Sequence, residues 1–230
     1  MCRIIMPKTK TYHHGALRQA LISEALNIIG KKGVSAVTMR GLGQALGVSR
    51  TAAYRHFDNK HDLLCAVAED GFNAIADRYG KIVEEAGPDA QTTMAALGRA
   101  YVHFAQEFPN MFRLMFSSEL AGQARKPSLR AAVHRSNLVL GATVLQCQKQ
   151  GVIRQGDPQV LANILWAGMH GLARLLVDGQ LQTDEQEQGV PIMTTDKAGT
   201  LQKKAGLVLD QMVEALLQGL APKPADSDAT

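Results

Sequence analysis

The sequence predicts an all-α protein: a small three-helix head containing a helix-turn-helix, joined by one long helix to a larger helical body. Three observations predict it. Apolar residues recur in steps of three and four along most of the chain, and no stretch alternates apolar and polar residues over a useful strand length. Gly and Pro clusters such as Gly87-Pro88 and Gly156-Asp157-Pro158 punctuate the runs. At 230 residues, 46% of them apolar, the chain is long enough for one or two domains whose core needs no disulfide or metal staple.

The first helix runs from Gly15 to Lys32, with Leu17, Leu21, Ile22, Ala25, Ile28 and Ile29 on one face and Gly33 as its stop. Thr38 caps a second, which turns Met39, Leu42, Ala45 and Leu46 inward and ends at Gly47. Ser49 caps a third over Arg50 to Phe57. Two short helices joined by Gly47-Val48-Ser49 have the helix-turn-helix layout, Gly47 giving the positive φ of the turn and Val48 plugging the angle. Asp58-Asn59-Lys60 breaks the chain and recaps it for the long helix, whose apolar face runs from Leu63 to Val83 and ends near Glu85.

Charge separates the two parts. Residues 1–64 hold ten Lys and Arg against three acids, a balance of +7, so the overall +4 leaves −3 for the remainder. A basic head on a mildly acidic body suits a chain whose head meets a polyanion. At the start of the third helix, Arg50 can make a bidentate contact with a guanine edge, and Thr51 offers a hydroxyl and a methyl. Tyr54 and His56, with Arg55 between them, are donors suited to phosphate oxygens, and the helix N-terminus beside Thr38 can do the same. Lys60 opens a helix, where a cation opposes the dipole; a phosphate partner would account for it.

The ordered set Tyr12-His13-His14-Gly15-Ala16-Leu17-Arg18, Thr38-Met39-Arg40, Ala45-Leu46-Gly47-Val48-Ser49, Ala53-Tyr54-Arg55-His56-Phe57 and Lys60 with Leu63-Leu64 resembles the DNA-binding domain of the TetR family of bacterial regulators over about residues 12 to 64. The resemblance implies a homodimer on a palindromic double-stranded operator, usually a repressor, released when a small ligand enters the body. It implies base contacts by Arg50 and Thr51 and phosphate contacts by Thr38, Tyr54, His56 and Lys60. Two positions depart from the family pattern: Gly43 stands where Ala is usual, and Ala53 where a larger aliphatic residue anchors the reading helix.

In the body, Tyr101, Phe104, Phe108, Phe112 and Phe116 place five of the eleven aromatics within sixteen residues, on two helices broken near Pro109, with Met111 and Met115 beside them. Such a wall suits an adaptable apolar pocket, and equally a plain core. Further helices are expected over 128–150, 158–179 and 200–220, the last two forming the dimer interface or completing the monomer core. Trp166-Ala167-Gly168-Met169-His170-Gly171-Leu172 resembles the signature of the TetR-type C-terminal domain named for its Trp, His and Gly, over roughly residues 88 to 180. Trp166 and His170 meet at i and i+4, as site or as packing, and the pocket candidates are therefore Phe104, Phe108, Phe112, Met115, Phe116, Trp166, Met169 and His170.

The expected division is a basic arm over 1–11, the reading head over 12–60, the body over 61–220 and a disordered tail over 221–230, with a polar loop near 180–196. Cys2, Cys65 and Cys147 are scattered without metal-ligand spacing, no cofactor motif is present, and no nucleophile–base arrangement or phosphate loop suggests catalysis. No apolar run approaches a membrane span, the start lacks a signal-peptide core, and a cytoplasmic protein beginning at Met1 or Met6 is expected. The competing readings are an activator, or a small-molecule-binding protein or enzyme that carries a helix-turn-helix.

Overall fold

A computed structural model of the chain describes residues 14–121, 126–180 and 197–222. The helices are α1 (His14–Lys32), α2 (Met39–Ala45), α3 (Arg50–Tyr54), α4 (Lys60–Glu85), α5 (Ala90–Glu107), α6 (Pro109–Met115), α7 (Pro127–Lys149), α8 (Pro158–Val177) and α9 (Lys197–Gly219). No strand occurs among the described residues. The expected arm over 1–11, most of the 180–196 loop and nearly all of the tail lie outside them.

The helix starts follow local chemistry. Thr38 Oγ1 accepts from Gly41 N at 3.0 Å, Ser49 Oγ from Ala52 N at 3.1 Å, and Asn59 Oδ1 from Asp62 N at 2.9 Å, each pairing an amide that the helix leaves without a partner. Pro109, Pro127 and Pro158 stand in the first turns of α6, α7 and α8, where a missing N–H costs nothing. Helix α3 is shorter than the expected 50–57, because Phe57 turns into the core while Asp58 and Asn59 begin the cap of α4. Helix α9 begins at Lys197, three residues ahead of expectation.

In the head, Leu21, Ile22, Ala25, Leu42, Ala53 and Phe57 are buried together with Leu63 and Leu64 from the first turn of α4. Gly47, at φ 65°, makes the turn. Gly43 lets α2 and α3 approach closely, since a Cβ there would lie 3.2 Å from the Val48 carbonyl oxygen. Ala53 is fully buried: the small residue seats α3 directly on the head core.

Helix α4 leaves the head and packs along α7, while α5 runs through the middle of the body against α4, α6, α7, α8 and α9. Helix α6 reaches back to α1, where the Asn110 side chain lies against Gly30. The body core is formed by Leu97, Tyr101, Phe104, Phe112, Leu114 and Met115, with Leu129 and Val144 from α7 and Leu161, Leu165 and Leu172 from α8.

Candidate functional site

Arg50 and Thr51 open α3 and are both exposed. The Arg50 guanidinium lies 5.3 Å from the Tyr54 ring centroid, one helical turn on, so the two side chains form one exposed cation–π unit. Thr38 is exposed at the start of α2, its oxygen capping the helix while its hydroxyl hydrogen can still be donated outward. His56 is half-buried beside Phe57. Lys60 has an internal role that spacing could not reveal: its Nζ donates to the Val34 oxygen at 2.8 Å and to the Ser35 oxygen at 3.3 Å. These carbonyls supply the partner that a cation at a helix N-terminus needs, and they tie the start of α4 to the turn leading into Thr38.

The body aromatics divide into two groups. Phe104 and Phe108 face away from the others, with the Arg78 guanidinium 5.5 and 5.6 Å from their ring centroids and Arg78 paired to Glu107 at 2.7 Å. The expected single stripe breaks because Phe108 leaves helical geometry, at φ −125° and ψ 58°, and the chain re-enters a helix at Pro109 with its face rotated. Met115 is buried against Gly71 of α4.

Phe112, Phe116, Trp166 and His170 converge instead with Tyr101. The Phe112 and Phe116 rings are 5.0 Å apart, Phe116 and His170 4.5 Å, and Trp166 and His170 5.1 Å. His170 Nδ1 and the Tyr101 hydroxyl are hydrogen-bonded at 2.8 Å, which satisfies both polar groups inside an aromatic cluster. Burial, and secondarily the Arg174 charge, hold the His170 pKa below the ordinary imidazole value; burial pushes the Tyr101 hydroxyl strongly upward. The pair is therefore neutral near pH 7.

Three voids surround Trp166. One of about 170 Å³ opens between α7 and α8, lined by Phe72, Phe116, Asn137, Gln159, Asn163 and Trp166 among others. Two inner ones, of about 30 and 20 Å³, are bounded by Tyr79, Tyr101 and Leu140, the larger also by Met94, Leu97 and Met169. Among the described residues, no Asp, Glu, Lys or Arg lines any of the three. Sequence reasoning finds Phe116, Trp166 and Met169 here; it misses Phe72 and Tyr79, which read as ordinary positions of α4's apolar face, and the amides of Asn137, Gln159 and Asn163. The signal for the last two was present: Gln159, Asn163, Trp166 and His170 follow at steps of four, three and four, one face of α8. A wider groove of about 750 Å³ runs between the end of α4 and α7 past Val83, Leu138 and Ala142, broadly open to solvent.

A different face of α8 carries Val160, Ile164, Ala167, Gly171 and Leu175, again at steps of four and three, all exposed. Its third face packs Gly168 against Met212 and Leu216 of α9. Among the described residues no group of three or more His, Cys, Asp or Glu could hold a metal ion.

Two family profiles match the chain: "Bacterial regulatory proteins, tetR family" over residues 21–67, and "Tetracyclin repressor-like, C-terminal domain" over residues 94–191. The second spans Trp166 and His170-Gly171, and its description is of the tetracyclin-repressor body in general. A nucleoid occlusion factor, SlmA, of Marinobacter nauticus is 24% identical over 180 residues, 78% of this chain and 89% of that protein. A class C tetracycline repressor of Escherichia coli is 44% identical over 52 residues, 23% of this chain and 24% of the repressor. A solved structure of a protein of unknown function from Rhodococcus sp. RHA1 is 31% identical, with a TM-score of 0.73, covering 93% of this chain and all of that one.

Proposed function

The chain belongs to the TetR family of bacterial regulatory proteins and is a DNA-binding transcriptional regulator, and from that premise we propose that it is a dimeric repressor released from a palindromic operator by a small molecule bound in its body. The observation that carries this reading is the pair Arg50 and Thr51, exposed at the start of a helix whose next turn is locked into the head by the fully buried Ala53. A reading helix needs that combination of rigid seat and free edge.

Arg50 and Thr51 read base edges, while Thr38, Tyr54 and His56 contact phosphate. Lys60 positions the Thr38 turn through the Val34 and Ser35 carbonyls and adds its positive charge to the phosphate-facing surface. Two copies meet through the exposed seam of α8 with α9 beside it, which puts the reading helices in successive major grooves roughly 34–36 Å apart. The ligand enters the aromatic voids around Trp166 and favours a tilt of α4 that changes this spacing; a coupling of about 1–3 kcal/mol is enough for release. The protein acts in the cytoplasm, where its DNA lies, and catalyses nothing.

The test is a gel shift of the full chain on the DNA flanking its own coding region, at 50 mM salt. Expected is a shifted band of dimer stoichiometry with one segment that outcompetes unrelated DNA. Binding no flanking segment while the dimer is intact would overturn the local-repressor reading.

A further inference from the structure

The three voids meet at two side chains. Among the described residues, Trp166 and Leu140 are the two that border all of them, so together they stand between the opening and the inner cavities. Both keep part of their surface exposed, and the Trp166 indole also reaches the Tyr101 hydroxyl as a hydrogen-bond partner. Trp166 is 39% exposed although its ring faces the aromatic cluster, and Leu140 is only half-buried.

The outer void holds about 170 Å³, more than the roughly 150 Å³ apolar cavity that accommodates a benzene ring. Phe116 and Trp166 both border it, in tilted contact with ring centroids 6.2 Å apart and planes at 42°. A flat ring placed between two others needs roughly 7 Å, two stacking distances, so a small outward swing of the indole makes room for one.

The walls also state what the occupant carries. None of the described lining residues is charged. The nearest charge on α8, Arg174, is one turn beyond His170 and paired with Asp178 at 2.9 Å. An anion entering here would lose its hydration without gaining a counter-charge, and a cation would do no better. At the opening, Gln159 Nε2 donates to Asn163 Oδ1 at 3.2 Å. That bond engages the oxygen of the Asn163 amide and leaves its NH₂ as a donor beside the void, with the Asn137 amide across from it on α7.

We propose that the voids around Trp166 are segments of one channel for a neutral, single-ring aromatic compound bearing a hydrogen-bond acceptor such as a carbonyl, with Trp166 as the side chain that swings to admit it. The ring stacks between Phe116 and Trp166, and the Asn163 NH₂ holds the acceptor at the opening. The proposal rests on the reading of the body as the ligand-sensing part, and it adds the chemistry of the ligand and the moving element.

Trp166 is the one Trp of the chain, so uniformly ¹⁵N-labelled dimer gives a single indole N–H signal located in the channel. The probes are acetophenone and benzamide, with benzoate, the same ring carrying an anion, and cyclohexanone, a carbonyl without the aromatic ring, as controls. Expected is a saturable displacement of the indole signal by acetophenone or benzamide, with a Kd on the order of millimolar or tighter for molecules of this size. Benzoate and cyclohexanone should bind at least tenfold more weakly. Asn163→Leu should weaken the aromatic probes several-fold, and Leu140→Trp, which fills the partition, should abolish binding while the helical circular dichroism stays unchanged. The proposal is overturned if neither aromatic probe displaces the signal in a saturable way, or if benzoate binds as tightly as acetophenone. Operator binding is measured on the same samples. Operator release by an anionic compound with the indole signal unmoved sinks the channel and leaves the regulator standing, whereas failure of the free dimer to bind DNA sinks the regulator reading independently of the titration.

Discussion

Asp62 and Lys126 form a 2.6 Å ion pair that joins the first turn of α4 to the residue capping α7. The carboxylate is almost fully buried, and the Lys126 ammonium holds its pKa below the ordinary value. The pair thus fastens the helix that leaves the reading head to the longest packing partner of that helix in the body.

Replacing Lys126 with Met leaves a buried carboxylate without its counter-ion, and thermal unfolding at pH 7 should fall by several degrees. Because the folded-state pKa of Asp62 is depressed, its contribution is fully present above the unfolded value of 3.8 and is lost as pH falls through the folded one. The melting difference between wild type and Lys126→Met should therefore be constant from pH 7 to about 5 and shrink below 3.8. A difference that persisted unchanged at pH 2.5 would assign the loss to Lys126 packing instead.

Arg50 and Lys60 should separate by what each mutation spares. Arg50→Ala removes an exposed side chain whose contact with the Tyr54 ring is also exposed, so stability changes little while discrimination at one base pair drops by about 1–3 kcal/mol. Lys60→Ala removes the bonds to the Val34 and Ser35 carbonyls, so all sequences should be bound more weakly by the same factor and the melting temperature should fall as well. Fluorescence anisotropy on an operator and its single-base variants measures both. Across 50 to 200 mM salt the wild type should lose about 10³-fold or more in affinity, as expected for six to ten neutralised phosphates.

His170 gives the body an acid sensitivity of the opposite origin. Burial depresses its folded pKa below the unfolded 6.5, so the neutral form is favoured in the fold, and stability present above 6.5 is lost as pH falls below it. Tyr101 stays neutral throughout that range, because burial pushes its hydroxyl upward. His170→Gln keeps a polar partner for the Tyr101 hydroxyl without a titrating ring. Melting curves from pH 7.5 to 5 should slope downward for the wild type relative to the variant; parallel curves would mean that the imidazole is not held neutral.

The seam of α8 offers a test of assembly. Ile164→Glu places a charge in the middle of Val160, Ile164, Ala167, Gly171 and Leu175, at a position already exposed in the single chain. The monomer fold should therefore survive. Sedimentation velocity should show a monomer, and operator affinity should fall by two orders of magnitude or more as the two half-sites are no longer held by one particle.

What the sequence discloses about this protein tracks the range of the interactions involved. The starts of α2, α3 and α4 are legible because Thr38, Ser49 and Asn59 act on amides three residues away. The long α4 is legible because its apolar steps continue uninterrupted to its end. Phe104 and Phe108 are a different matter: their spacing agrees with that of Phe112 and Phe116, and only the irregular backbone at Phe108 turns the two pairs apart. Lys60 finds its carbonyls 26 and 25 residues back in the chain, a distance that no local pattern encodes. The amides of Asn137, Gln159 and Asn163 come together beside one void only once α7 and α8 are placed side by side.

Helix α4 has one further property, which is mechanical. Tyr79, at the wall of the inner voids, and Lys60, at the edge of the head, lie on the same unbroken helix, nineteen positions and so about 28 Å apart at 1.5 Å per residue. Over that arm a pivot of about 7° carries the head through about 3.4 Å, the rise of one base step along a DNA strand. In the proposed mechanism a displacement at the voids no larger than a side chain's swing would thus reach the duplex as a change in register, and two such arms in a symmetric dimer would double it.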